Sequence, residues 1–190
     1  MRKFFDKFSA FDFVIMALLA ALGVVVKPFV SLAAQIITGP FMNGGVVAGL
    51  VYMMFPVLSA AIVGKRGAAT LTAAVQAILI TVTGIPGTHG IVSLLTYTAP
   101  GLAIDVVWLL MRHKGCCAMC CFFGGMAANV VGTFGSNLVF FRVEALPLLI
   151  MLIAAAFFGG LGGLLAWNIN KVLRKYKVVG RGTTGRGQLR

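Results

Sequence analysis

The chain has 190 residues, of which 60% are apolar and only 11% are charged, and its mean hydropathy is +1.02. A soluble domain carries roughly a quarter charged residues, so this composition excludes a soluble globular protein, and it also excludes an intrinsically disordered chain. The net charge of +12 could indicate nucleic-acid binding, but the basic residues flank apolar stretches, as topology signals and headgroup anchors do. We therefore expect an all-α integral membrane protein that binds no nucleic acid.

Six apolar stretches predict six membrane-spanning helices, each of which needs about 20 residues to cross a bilayer core. The first covers residues 11–26 and is expected to end at Lys27-Pro28. The apolar stretch 28–43 is short for a full span and predicts a helix extension with a re-entrant or capping loop. The other spans are predicted at residues 44–63, 67–83, 91–111, 116–141 and 145–170.

The basic residues predict the topology. With six spans, both termini and the connections after the second and fourth spans lie on one side, and only Lys27 and Arg142 fall on the other. The positive-inside rule places the basic side, with both termini, in the cytoplasm. We expect a single membrane domain over residues 1–176 and a basic flexible tail over residues 177–190.

Motifs for catalysis are not found. The sequence has no G-x-x-x-x-G-K-[ST] loop for ATP, and only Asp105 and Glu144 follow the N-terminal segment as carboxylates, which disfavours a paired-carboxylate active site. Two i, i+4 cysteine pairs on one helix point in different directions, whereas a metal site needs convergent ligands. We therefore expect binding or transport rather than catalysis, without a cofactor or metal in this chain. The cysteines in question are Cys116, Cys117, Cys120 and Cys121.

Asp105 lies inside the fourth predicted span, seven residues before Arg112. An ionisable residue within a membrane helix is costly and is by default a candidate for function. It is either a gate or substrate contact, or a structural partner of another helix or of a cytoplasmic Lys or Arg.

Polar side chains recur on one face of the fifth predicted span, at spacings of three and four residues. Because such groups need partners in lipid, the face is expected to point into the bundle, where it either lines a ligand cavity or makes interhelical hydrogen bonds. These residues are Asn129, Thr133, Ser136 and Asn137.

Further candidates for such a cavity lie on neighbouring segments. Gln76 is on the third span and Tyr97 on the fourth, each accompanied by threonines. His89, in the turn between these spans, is either a ligand contact or a solvated loop residue. Glu144 either joins the site or pairs with Arg142 at the surface.

Small residues are dense on the first and last spans. Spacings of the small-xxx-small type let membrane helices approach closely. On the last span, intramolecular packing is the favoured interpretation. On the first span, the pair Ala17 and Ala21 could equally face a partner protein.

Six spans, a basic cytoplasmic side and Ala17-Leu18-Leu19-Ala20-Ala21 on the first helix resemble the substrate-binding S components of energy-coupling factor (ECF) vitamin transporters. The segments Gly64-Lys65-Arg66-Gly67-Ala68-Ala69 and Gly84-Ile85-Pro86-Gly87, with Gly101 and Asp105 on the fourth helix, resemble the YkoE type, associated with thiamine or its hydroxymethylpyrimidine precursor.

The resemblance implies a non-enzymatic subunit of an ABC importer in the cell membrane. It would bind a vitamin from outside and release it inside when two partner ATPases hydrolyse ATP. It also implies docking of a transmembrane coupling subunit on Ala17, Ala20 and Ala21, and a cap above the ligand between the first two helices. The residues of that cap would be Phe29, Ile36, Ile37, Phe41 and Asn43.

The thiamine-type pattern has acidic residues on the third and fifth helices, where this chain has Gln76, Ser136 and Asn137. A cationic thiazolium would favour a carboxylate, so a neutral pyrimidine or another vitamin fits the sequence as well. The competing hypotheses from other classes are a small membrane enzyme and an assembly factor without a ligand.

Overall fold

The computed structural model describes residues 8–38, 44–84, 91–112, 117–141 and 143–176. Within these ranges the chain forms seven α-helices and one π-helical turn. The helices are α1 (Ala10–Thr38), α2 (Gly44–Tyr52), α3 (Met54–Val63), α4 (Ala68–Thr83), α5 (Ile91–Leu110), α6 (Ala118–Ser136) and α7 (Ala145–Lys175), with the π-helical turn Asn137–Phe141 after α6. Four segments are long and apolar enough to cross a membrane, and one of them is the 19-residue span that α2 and α3 make together. Helix α4 and the part Leu94–Leu110 of α5 are shorter apolar segments. This confirms the prediction of a bundle of six spans.

Helix α1 is longer than the sequence predicts, with 29 residues that include Pro28. Proline removes one backbone donor from a helix, but membrane helices tolerate it because neighbouring groups satisfy the freed carbonyl. The prediction that the first helix ends at Lys27-Pro28 is therefore wrong. Three residues that were assigned to the capping loop lie on this helix instead: Phe29, Ile36 and Ile37.

The connection between α3 and α4 is made by glycines in the left-handed conformation. Gly64 has φ 64° and closes α3 by donating to the carbonyl oxygen of Ala60 at 2.8 Å, and Gly67 has φ 91° just before α4. Residues with a Cβ are disfavoured at such angles. The predicted break between spans at Gly64-Lys65-Arg66 is therefore confirmed.

Helices α6 and α7 pack through glycines that bring their backbones into contact. A Cβ at Gly125 would lie 2.3 Å from the carbonyl oxygen of Gly159, and a Cβ at Gly163 would lie 2.0 Å from that of Cys121. On the other side of α7, a Cβ at Gly162 would lie 2.3 Å from the carbonyl oxygen of Leu50 on α2. The glycines of the last span therefore serve intramolecular packing, the interpretation favoured from the sequence.

One end of the bundle, which we name the basic end, contains the start of α1, the α3–α4 connection and the last turns of α5 and α7. Lys65 Nζ lies 2.5 Å from Asp12 Oδ2, and Arg174 donates to the carbonyl oxygen of Ala61 at 3.1 Å, in the last turn of α3. These contacts join α1, α3 and α7 at the same level. The alternation of up and down helices expected from the sequence is thus present, and its cytoplasmic orientation stays a prediction.

The outward faces of the helices are apolar. Large exposed side chains lie along α1, α5 and α7, for example Leu18, Leu95 and Ile153. Contiguous apolar surface of this extent would be unfavourable in water, and it is what a lipid-facing surface requires. The fold therefore belongs in a membrane.

Candidate functional site

At the end opposite to the basic end, a lysine from α1 meets a tyrosine from α5. Lys27 Nζ donates a hydrogen bond to the hydroxyl oxygen of Tyr97 and lies 4.0 Å from the centroid of its ring. Lys27 is 17 residues after the start of α1, about 25 Å along the helix at 1.5 Å per residue. Helix α5 runs the other way, so Tyr97, near its start, lies at the same level.

Two more polar side chains belong to this region. Tyr52 on α2 donates its hydroxyl to the carbonyl oxygen of Gly45 at 3.0 Å and is close enough to Tyr97 to interact electrostatically. Gln76 on α4 is half-buried, and a Cβ at Gly23 would lie 2.3 Å from its Nε2 atom. Gly23 precedes Lys27 by four residues and shares its helix face. Polar groups of α1, α2, α4 and α5 thus lie around one side of α1.

Asn129 proves to be a structural residue. Its side chain is 1% exposed, and its Nδ2 atom donates to the carbonyl oxygens of Val46 on α2, at 3.1 Å, and Ala155 on α7, at 2.9 Å. Its Oδ1 accepts no hydrogen bond within the described structure. This atom packs directly on Gly49 of α2, since a Cβ added at Gly49 would lie only 2.0 Å from it. Of the two roles left open by the sequence, interhelical bonding is the one that Asn129 performs.

The other residues of the α6 face differ among themselves. Asn137 is nearly buried, and its Oδ1 accepts the backbone N–H of Val143 at 2.9 Å, which connects the π-helical turn to the start of α7. Thr133 and Ser136, which lie between these two asparagines in the sequence, are half-buried. Glu144 is exposed and makes no capping hydrogen bond at the start of α7. Ligand contact by Thr133, Ser136 and Glu144 stays a prediction.

Three threonines near the proposed cavity hydrogen-bond to their own helices. Each hydroxyl donates to a backbone carbonyl four residues earlier, at 2.7 to 2.8 Å. Such bonds satisfy a threonine in a membrane helix without a ligand, so these positions carry little information about a site. They are Thr81, Thr83 and Thr98.

Several predicted contacts lie elsewhere. Phe29, Ile36 and Ile37 are 70%, 83% and 79% exposed on α1. These residues follow Lys27 on the same helix, towards the end opposite to the basic end. Their role as a cap above a ligand stays a prediction. His89, Phe41 and Asn43 lie outside the described residues.

Asp105 caps helix α4 at the basic end. Its carboxylate accepts the backbone N–H of Gly67 at 3.1 Å, the N–H of Thr70 at 2.8 Å and the Thr70 hydroxyl at 2.6 Å. A carboxylate at a helix N-terminus is stabilised by the unsatisfied N–H groups there. Of the two roles left open by the sequence, Asp105 therefore has the structural one, as a hydrogen-bonding partner of a neighbouring helix.

An open groove of about 350 Å³ lies beside Asp105. It is lined mainly by apolar side chains of α4 and α5, including Leu102 and Leu109.

The small residues of α1 divide between two faces. Ala17 and Ala21 are exposed together with Leu18, whereas Ala20 is completely buried. Ala20 therefore packs within the bundle, and its assignment to a partner surface is wrong because its side chain is inaccessible in the folded chain. Docking of a partner on Ala17 and Ala21 stays a prediction.

The described cysteines lie at the start of helix α6. The sulfur atoms of Cys117 and Cys120 lie within hydrogen-bonding distance, and Cys120 and Cys121 are buried against the core. Cys116 lies outside the described residues. Over the described ranges no three His, Cys, Asp or Glu side chains come together as a metal site.

Lys27 and Tyr52 are the residues that the sequence argument did not assign to a site. Lys27 counted only as a topology signal because the first helix was expected to end there, which would have put the ammonium group in water. The available signal was the apolar stretch after Pro28, which continues the span. An ionisable residue inside a span would then have been a functional candidate.

Two comparisons with known proteins bear on this architecture. The profile of a family described as "ABC-type cobalt transport system, permease component" matches residues 11–131, more than half of the chain. A solved structure described as "Crystal structure of an S-component of ECF transporter" superposes with a TM-score of 0.75 and 23% sequence identity, covering 90% of this chain and 88% of that one. No curated protein sequence matches. The chain has the fold of that S component, and it belongs to the family of permease components of ABC-type cobalt transport systems, which are multi-pass proteins of membrane transport and not enzymes.

Proposed function

We propose that this chain is the substrate-capture subunit of an ECF-type ABC importer, binding a vitamin or related micronutrient from outside. The observation that carries the proposal is the S-component fold, matched over 90% of the chain. In support, Lys27 and Tyr97 meet between helices at the end opposite to the basic end, and Gln76 contacts α1 one turn away, at Gly23. Release inside would follow ATP hydrolysis in two partner ATPases, so the chain itself would use no cofactor.

The coupling subunit would dock on the exposed face of α1 around Ala17 and Ala21. Two small residues four apart on an exposed helix face permit close approach of a second helix, and both are accessible here. Ala17→Trp and Ala21→Trp should abolish co-purification with a co-expressed coupling subunit and leave the chain itself folded. Val25→Trp, one turn further along this face, tests how far the contact extends.

Thiamine or its hydroxymethylpyrimidine precursor is the substrate that the YkoE-type resemblance favours. Cationic thiamine is the less well supported of the two, because the polar groups described around Lys27 include an ammonium group and no carboxylate for a thiazolium. A bare cobalt ion, which the family description names, is less well supported. Cobalt prefers several imidazole, thiolate or carboxylate ligands, and the described residues hold no such cluster.

Native mass spectrometry of the purified chain, together with thermal-shift assays, tests the proposal. The ligands would be thiamine, hydroxymethylpyrimidine, a panel of other vitamins, and cobalt chloride. A bound vitamin-sized molecule, or stabilisation by one vitamin, is the expected result. Thr133→Val and Ser136→Ala should then weaken retention. A protein that carries nothing and responds to no compound would instead favour an assembly factor.

A further inference from the structure

The ammonium group of Lys27 lies within a membrane helix, about 25 Å from the start of α1 at 1.5 Å per residue. The residue is half-buried, and α1 is apolar on both sides of it. A charged side chain at such a position is costly, and it normally faces a bundle interior or a substrate pathway where it finds a partner. The identity of its partner therefore bears on what the site binds.

The partner in the structure is a neutral group. Lys27 Nζ donates to the hydroxyl of Tyr97 and lies over the ring at 4.0 Å from the centroid. A phenol oxygen and a ring face attract a cation, but neither neutralises its charge. Two of the three ammonium donors still have capacity for acceptors.

The carboxylates that the structure describes form no ion pair with Lys27. Asp12 pairs with Lys65, Asp105 caps α4, and Glu144 is exposed at the start of α7. Asp6 belongs to the N-terminal segment outside the described residues. Within the described structure, Lys27 thus has no acidic partner.

Tyr97 adds a hydrogen-bond donor beside Lys27, because it keeps its own O–H for donation when it accepts from the ammonium group. Gln76 lies on the same face of α1 one turn away, against Gly23. An ammonium and a phenol O–H form a pair that suits an oxyanion. Charge-assisted bonds of this kind are the stronger class of hydrogen bond.

We propose that Lys27 and Tyr97 bind an anionic group of the transported molecule, a carboxylate or a phosphate. This inference rests on the proposed capture function and specifies the substrate class. The ligand is a small organic anion, and neither cationic thiamine nor an uncharged pyrimidine provides the charge that Lys27 requires. A phosphorylated pyrimidine or a vitamin with a carboxylate does.

Matched ligand pairs test the inference on the full chain reconstituted in lipid nanodiscs. The pairs are biotin and biotin amide, nicotinate and nicotinamide, pantothenate and panthenol, pyridoxal phosphate and pyridoxal, and hydroxymethylpyrimidine phosphate and hydroxymethylpyrimidine, with thiamine as the cation. Only the anionic member of a pair should bind, measured by thermal shift and then by calorimetry. A carboxylate pair and a phosphate pair distinguish the two sources of the charge.

Variants identify the residue that is responsible. Lys27→Met keeps the length of the side chain and should weaken binding of that anion by about tenfold or more, whereas Lys27→Arg should retain part of the affinity. Tyr97→Phe should cost a smaller factor, about threefold to tenfold. Lys65→Met, which removes a cation at the basic end, is the matched control and should leave the affinity unchanged.

The outcomes separate this inference from the function on which it rests. Binding of thiamine or of the neutral members, or unchanged affinity in Lys27→Met, overturns the anion site and leaves substrate capture in place. No binding to any compound and no co-purified molecule overturns both. Because methionine is more apolar than lysine, the Lys27→Met variant is expected to fold in the membrane, and Tyr97→Phe gives a second variant.

Discussion

At the basic end, buried or half-buried charges meet complementary groups, while at the opposite end Lys27 meets a neutral tyrosine. Asp12 pairs with Lys65, and Asp105 accepts three hydrogen bonds from the start of α4. Lys27 has Tyr97 as its partner and forms no ion pair with a described carboxylate. The basic end is thus satisfied internally and suits a rigid base, and the opposite end retains donor capacity that a ligand can use.

The close helix contact near the basic end gives the largest expected effect. Gly163→Val places side-chain atoms where a Cβ alone would lie 2.0 Å from a backbone carbonyl oxygen, so α6 and α7 must separate. Overpacking of a core costs about 1–3 kcal/mol and occasionally more, and we expect the upper part of this range. The measurement is the thermal denaturation midpoint in detergent. At Gly135 the nearest atom is 4.0 Å away, so Gly135→Ala should be tolerated.

Removal of the Asp105 carboxylate should have the next largest effect. Asp105→Ala leaves the N–H groups of Gly67 and Thr70 without their acceptor, and loss of hydrogen bonds to a charged group costs about 1.5–3 kcal/mol. Chemical denaturation in detergent micelles should show this loss. Glu144→Ala, at an exposed helix start without a capping bond, should be nearly silent, and equal losses in the two variants would contradict the assignment of Asp105 as a cap.

Two neighbours on α6 should separate structure from binding. Asn129→Ala removes hydrogen bonds to α2 and α7, each worth about 1 kcal/mol in a membrane. It should therefore lower thermal stability. Thr133→Ala should leave stability almost unchanged and reduce retention of a co-purified ligand. If both variants lost stability equally, the α6 face would be structural throughout.

The ion pair at the basic end should have the smallest effect. Lys65→Met removes the partner of Asp12, and partly exposed pairs typically contribute up to about 1 kcal/mol. Because salt screens such pairs, the difference in melting temperature between wild type and variant should shrink as sodium chloride is raised. A difference that does not depend on salt would indicate that packing of Lys65 on Phe8 dominates.

The sequence predicts the six spans because apolar runs and glycine breaks act locally. It predicts the candidate site less well. Asn129 and Thr133 carry the same helical-face signal, yet only packing against Gly49 and Ala155 makes Asn129 a structural residue. In the same way, a proline in a lipid environment does not end a helix as it does in water, so Lys27 lies inside α1, which continues through Pro28.

The unequal lengths of the helices have a consequence for the surrounding lipid. Helix α1 has 29 residues, about 43 Å at 1.5 Å per residue, and α4 has 16, about 24 Å. A hydrocarbon core of about 30 Å is thus exceeded by one helix and not spanned by the other, although the two helices pack against each other at Gly23 and Gln76. We expect α1 to tilt and the bilayer to thin beside α4. The surrounding lipid should therefore be deformed most where these two neighbouring helices meet it.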